Sequence, residues 1–326
     1  MNSWGAKFRV TLWGESHGEQ VGVTIDGVPA GIALSAEDFM ADLARRRAGA
    51  AGTTPRTESD MPHIVSGLYE GHTTGSPLTI EFLNENTRSG DYSSLVSHPR
   101  PSHADLVAQQ KWQGYNDPRG GGHFSGRITL GLVAAGVVAK KILGDAAQFS
   151  TDIIAIGGSH DKSSFESIIE QARQAQDSVG GIVECRVNGI AIGLGEPFFD
   201  SAESQIAHLL FSVPAIKGVE FGAGFAASTM RGSEHNDMIT DSEGHTSTNH
   251  AGGIVGGITN GNEIVVRAAV KPTASISREQ QTFNLASGKV EPLIIKGRHD
   301  VCIALRAAVV VEAAVAIALA DFKLRA

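Results

Sequence analysis

Two segments rich in Ala, Val and Gly, Ser125–Leu143 and Val301–Leu319, constrain what this chain can fold into more than any other feature of it. Both are apolar on most sides, so neither can lie on a surface with one face in water. Each reads as a buried helix. Arg306 and Glu312 interrupt the second segment, and its length falls short of a membrane span. Around these segments lie amphipathic strands at Phe8–Trp13, Val21–Ile25, Leu78–Leu83, Ile153–Ile156, Ile182–Ile190 and Ile264–Val270. They do not alternate with helices in a regular βαβ pattern. The expected class is therefore α+β, with long central helices sandwiched between antiparallel β-sheets rather than flanking a doubly wound parallel sheet. No repeat, low-complexity tract or linker divides residues 1–326, which predicts a single domain.

Other helices are expected where Ser35 and Asp38 form a capping box that opens a run through Phe39, Leu43 and Arg45-Arg46-Arg47. Further ones are read at Ala104–Trp112, Ser164–Ala175 and Ser201–Leu210, the last with Asp200 as N-cap. The stretch Gly222–Asn262, dense in Gly, Ser, Thr, Asn and His, reads as a long functional loop region.

Composition excludes several classes. A net charge of −8 argues against a nucleic-acid partner, which calls for a basic surface. Cys185 and Cys302 are isolated and read as reduced, buried thiols. The start of the chain has no apolar signal region, which points to a cytoplasmic protein without a membrane partner. Twelve histidines invite a metal, yet no His-Glu-x-x-His spacing exists, and no metal site is expected. The 39 glycines against 6% aromatics suggest tight turns and close backbone approaches in ligand-lined loops.

Five segments could carry chemistry. In Gly14-Glu15-Ser16-His17-Gly18 a histidine leaves a strand between glycines, and its ordinary pKa suits proton transfer near neutrality. A loop histidine bonded only to backbone is an equal reading. In Arg100-Pro101-Ser102-His103-Ala104-Asp105, Ser102 could cap a helix and set His103 in its first turn. Three glycines in Arg119-Gly120-Gly121-Gly122 precede a helix and could present N–H groups to a phosphate, although a Walker A ending is missing. Arg127 follows at the start of an apolar helix, where a buried guanidinium needs a carboxylate or an anionic ligand. Asn249–Gly257 and Lys271–Ser275 make a fourth group, for which turn chemistry is the plain alternative. Lys296-Gly297-Arg298-His299-Asp300 places cation, imidazole and carboxylate in one loop, where Asp300 could equally be an N-cap.

Together these segments resemble the chorismate synthase family over Phe8–Leu324. The resemblance also rests on Gly193-Leu194-Gly195-Glu196-Pro197, Lys217-Gly218-Val219-Glu220, Arg231-Gly232-Ser233-Glu234-His235 and Asn249-His250-Ala251-Gly252-Gly253, in the family's order. It implies a homotetramer and an elimination of phosphate from 5-enolpyruvylshikimate 3-phosphate that uses reduced FMN. By that likeness His17 protonates the departing phosphate, His103 acts on the reduced flavin, and Asp300 assists removal of the ring proton through the flavin N5. Arg45, Arg119 and Arg127 would bind the substrate's anionic groups. Flavin contacts would fall at His123, Phe124, Ser125, Ala215, Gly256, Lys271, Pro272, Thr273, Ala274, Ser275 and Arg298. Arg46 would meet a pyridine nucleotide, with NADPH a candidate reductant, although reduction by an external system suits a chain with no evident reductase domain.

The chain also departs from the family string after the glycines. His123-Phe124-Ser125-Gly126-Arg127-Ile128-Thr129 stands where Arg-Ser-Ser-Ala-Arg-Glu-Thr is usual. Ala274 replaces a common Ser, and an arginine usual before Thr53-Thr54 is absent, with Gly52 nearby. These changes motivate a competing reading, a non-catalytic paralogue that binds flavin or a phosphometabolite. A metal-dependent hydrolase is a third.

Overall fold

The computed structural model describes residues 1–47, 49, 52–54, 58–86, 95–297 and 299–326. Its helices are α1 (Glu37–Arg46), α2 (Asp105–Lys111), α3 (Thr129–Leu143), α4 (Phe165–Gln174), α5 (Ala202–Ser212), α6 (Gly232–His235) and α7 (Ala304–Arg325). The two apolar segments are α3 and α7, which are buried along most of their lengths and pack along each other. Glycine sets how closely they approach. A Cβ on Gly136 would lie 2.5 Å from that of Ala313, and one on Gly131 would lie 2.7 Å from the side chain of Leu12.

On one side of this helical layer is a five-stranded antiparallel sheet, ordered Ser3–Trp4, Arg9–Gly14, Gln20–Asp26, Leu78–Leu83, His63–Ser66. The period-2 pattern fixes its register: Val21, Val23 and Ile25 sit opposite Phe82, Ile80 and Leu78, all buried on the face that meets α3. On the other side, Ile216–Phe221, Ile264–Val270, Gly181–Asn188 and Gln148–Ile156 form a second antiparallel sheet against α7. The expected sheet–helix–sheet sandwich is the one observed.

Several boundaries differ from the sequence reading. Strands Ile216–Phe221 and His63–Ser66, and the hairpin of Gln280–Asn284 with Lys289–Leu293, lie in stretches too polar to mark as strands. Ser201 rather than Asp200 caps α5, because its Oγ accepts the Ser204 N–H at 3.1 Å, while Asp200 accepts from the Gln205 side chain. The segment from Ser125 opens with a short 3-10 turn at Gly126–Ile128, and α3 begins only at Thr129.

The two charges that interrupt the C-terminal apolar run are structural keys. Glu312 takes both guanidinium nitrogens of Arg45, at 2.8 and 2.7 Å, and the ammonium of Lys140, which ties α7 to α1 and α3. Burial alone would raise its carboxyl, but these cations hold it down at about 2. Arg306 points into the cleft described next. No helix among the described residues is long and apolar enough to cross a membrane.

Candidate active site

A cleft of about 620 Å³ opens beside the ends of α3 and α7, within the size range of small-molecule sites. Strand Arg9–Gly14 delivers the loop that carries His17 to it. Ser16 N donates to the Gly122 carbonyl at 3.1 Å, and His17 is only 8% exposed. The Gly120-Gly121-Gly122 run has φ of 61, 83 and 55°, a conformation that only glycine adopts without strain. A Cβ on Gly120 would lie 2.5 Å from His17 Nε2, and one on Gly121 would lie 3.4 Å from His103 Cε1. Gly120 therefore makes room for the His17 imidazole, while a Cβ on Gly121 would lie within ordinary contact of His103. Of the three N–H groups that the sequence offers to a phosphate, that of Gly121 is donated to the Pro118 carbonyl at 3.3 Å.

His103 stands just before α2 rather than in its first turn, since Ser102 turns the chain with φ 57° and the helix starts at Asp105. Its Nδ1 lies 2.6 Å from Asp105 Oδ1 and 3.1 Å from an Arg100 nitrogen. One nitrogen cannot donate to the first and accept from the second. The shorter contact assigns Nδ1–H to Asp105, which leaves Nε2 for a ligand. Burial acts to raise the Asp105 carboxyl, yet its bonds from Arg100, at 2.7 Å each, and from His103 hold it well below the usual carboxylate range. Arg100 also reaches Ser275 Oγ at 2.9 Å, linking this triad to the Lys271–Ser275 segment.

Asp300 enters from the loop before α7. Its Oδ1 accepts the Thr54 N–H at 2.8 Å, and its Oδ2 lies 3.0 Å from Arg306. Gly52 supports this loop by accepting the N–H groups of Val301 and Cys302. Burial, with Arg100 adding repulsion, pushes the neighbouring His299 imidazole down to about 4, so it is neutral at neutral pH. Its Nε2 is buried without a partner among the described residues.

Arg127 is buried as expected, and its partner is a carboxylate. It bonds Asp60, takes Asn84 Oδ1 at 2.8 Å and donates to the Leu83 carbonyl at 2.9 Å. Arg46 shares that carboxylate at 3.7 Å and donates to Thr129 Oγ1 and the Gly126 carbonyl. Among the described residues, seven cations along the cleft wall (Arg46, Arg47, Arg100, Arg127, Arg306, Lys217 and Lys271) face three carboxylates (Glu58, Asp60 and Asp300). A chain with net charge −8 thus carries a locally positive cavity, the field a small polyanion needs. Three wall residues other than glycine, Asp60, Ser102 and Ala215, hold positive φ (49, 57 and 76°), a strain that accumulates where structure is organised around a ligand.

The cleft gathers His17, Arg46, His103, Phe124, Ser125, Arg127, Ala215, the whole Lys271–Ser275 segment and Asp300. Four residues expected to contact ligands lie off its wall. Arg45 is turned to Glu312, Arg119 to Asp117 at the surface, and His123 Nδ1 to the Gly14 carbonyl at 2.8 Å. Gly256 makes the turn between strands Ile254–Val255 and Ile258–Thr259. Arg298 lies outside the described residues. Sequence reasoning left Arg100, Arg306, Lys217, Asp60 and His299 unassigned. Arg306 had a signal, being a charge at the start of an otherwise apolar helix, whereas nothing local marks Asp60.

Three imidazoles, two buried carboxylates and an excess of cations around one cavity are the groups of an enzyme site for a small polyanion. The chain matches the family model described as chorismate synthase over residues 8–324. It is 62% identical to a chorismate synthase of Chitinophaga pinensis over 99% of this chain and 97% of that one. It is also 47% identical to one of Syntrophobacter fumaroxidans, over 99% and 97%. A solved crystal structure of chorismate synthase superimposes with TM-score 0.75 at 27% identity, covering 99% of this chain and 93% of that one. The chain belongs to the chorismate synthase family. Its activity is that of a lyase of the shikimate pathway: the anti-1,4-elimination of phosphate from 5-enolpyruvylshikimate 3-phosphate to chorismate, with a requirement for reduced flavin.

Proposed function

We propose that the cleft holds FMN in its reduced form beside the substrate, and that His17, His103 and Asp300 divide the proton transfers. The supporting observation is the glycine run, against which both imidazoles rest, in the same cavity as Asp300 and the cations named above. The lining suits a flavin mononucleotide. Ala215, Ile216, Ile303, Ala307 and Val310 offer apolar surface to a planar ring system, Lys217 and Lys271 offer charge to a phosphate, and the Thr273 hydroxyl is buried without a partner among the described residues. When bound, reduced flavin supplies electron density to the substrate ring as the C–O bond breaks.

The protein's own groups do the rest. The cations bind the phosphate and the two carboxylates of the substrate, with Arg127 and Arg46 held in place by Asp60. His17 gives its proton to the departing phosphate oxygen. His103, with Nδ1–H fixed on Asp105, presents Nε2 to the cleft and donates a proton from there in its imidazolium form. Asp300, oriented by Thr54 and Arg306, is the carboxylate available for the proton lost from the ring. Arg46 already donates to Thr129 and Gly126, so we assign flavin reduction to an external reductant rather than to a nucleotide bound at that residue. A cytoplasmic homotetramer completes the proposal, on the family likeness. His17→Ala and His103→Ala are each expected to cut turnover by roughly 10²-fold or more, as loss of a general acid does. Near-normal turnover in both variants would remove these roles.

A further inference from the structure

We propose that His123 is a positioning residue for His17, a strut that locks the histidine-bearing loop onto the glycine run, and not a ligand for the flavin. The inference rests on the proton-donor role given to His17 above. His123 is half-buried and its side chain turns away from the cleft, whereas the next residue, Phe124, lines the cleft and packs on Trp112 with ring centroids 5.7 Å apart. His123 Nδ1 meets the carbonyl of Gly14 at 2.8 Å. A carbonyl only accepts, so Nδ1 carries the hydrogen.

Gly14 is the last residue of its strand and turns the chain with φ 91° into the loop that carries His17. Two residues further on, Ser16 N donates to the Gly122 carbonyl at 3.1 Å, next to His123 in sequence. These two bonds clamp the loop to the glycine run from both of its backbone sides. Just beyond them along the chain, the His17 ring rests where Gly120 has no side chain. An imidazole at position 123 reaches the Gly14 carbonyl with a rigid donor, and the rigidity passes to His17 through three residues of backbone. A misplacement of His17 by about 1 Å is enough to cost on the order of 10²-fold in rate.

The test compares His123→Leu with His123→Asn, whose side-chain amide can donate to the same carbonyl, and includes His17→Ala in the same series. His123→Leu is expected to lower kcat by about 10- to 100-fold with KM and the Kd for FMN within about threefold of the parent. His123→Asn is expected to recover kcat to within about fivefold. Weakened FMN binding at unchanged kcat in His123→Leu would overturn the strut and favour a flavin contact. So would a His123→Asn no better than His123→Leu. Nitrogen-15 NMR of the unmodified protein gives a readout that does not depend on variant folding: neutral His123 should carry its proton on Nδ1, and an Nε2–H tautomer would refute the proposal. Normal turnover of His17→Ala would instead remove the role of His17 itself, whatever His123 does.

Discussion

Gly120→Ala tests the arrangement of the two imidazoles most sharply. The new methyl group would start 2.5 Å from His17 Nε2 and 3.1 Å from Ser16 Oγ, whereas non-bonded heavy atoms rest at about 3.5–4.0 Å. Relief requires the imidazole to move by about 1 Å, because the glycine backbone is fixed by its neighbours and cannot retreat. Displacement of that size in a proton donor costs on the order of 10²-fold in kcat. The φ of 61° adds roughly 1–2 kcal/mol of strain to folding. Gly121→Ala is the matched control. It carries a similar φ strain, at 83°, but its methyl would sit 3.4 Å from His103, close to ordinary contact. Stopped-flow turnover and urea unfolding of both variants should show similar losses of stability, with kcat down about 10²-fold in Gly120→Ala and by no more than about fivefold in Gly121→Ala. Equal losses of kcat would mean that loop disruption, not contact with His17, controls the rate. Wild-type kcat in Gly120→Ala would refute the placement of His17.

Three further outcomes follow from the charged network. The Glu312 carboxyl is held at about 2, below its unperturbed 4.5, so its contribution is fully present above pH about 4.5 and is lost as pH falls toward 2. Urea denaturation of Glu312→Gln at neutral pH should show a loss of about 3 kcal/mol that shrinks on acidification, and a pH-independent difference would contradict the assignment. Asp60→Asn leaves Arg46 and Arg127 buried without their shared carboxylate and should cost about 3–5 kcal/mol in unfolding, against less than about 1 if the pair is immaterial. Arg119→Ala should change KM by less than about threefold and stability by less than about 1 kcal/mol, because its partner Asp117 lies outside the cleft and the Arg119 side chain is half exposed.

Much of the architecture was legible because it is written in periodicity. The all-round apolar character of α3 and α7 demands burial between layers, and the alternation of Val21, Val23 and Ile25 demands one covered sheet face. Short strands such as His63–Ser66, exposed along most of their length, carry no such imprint and were missed. At the site, local strings located His17, His103 and Asp300, since the residues that make each loop are adjacent in sequence. They could not show which side of the chain a residue faces. Arg45 and Arg46 are neighbours on α1, yet one turns to Glu312 and the other to the cleft. His123 and Phe124 diverge in the same way. Asp60 was invisible because its role depends on Arg127, far along the chain. The glycine run was legible, but its close approach to His17 was not, because that imidazole is delivered by a distant loop.

The most direct test is an anaerobic assay of the purified protein with dithionite-reduced FMN and 5-enolpyruvylshikimate 3-phosphate, following chorismate by absorbance. The account predicts chorismate formation that requires the reduced flavin and falls by roughly 10²-fold in His17→Ala. Tight binding of reduced FMN and substrate without any chorismate would contradict it and return the chain to the role of a non-catalytic binding protein.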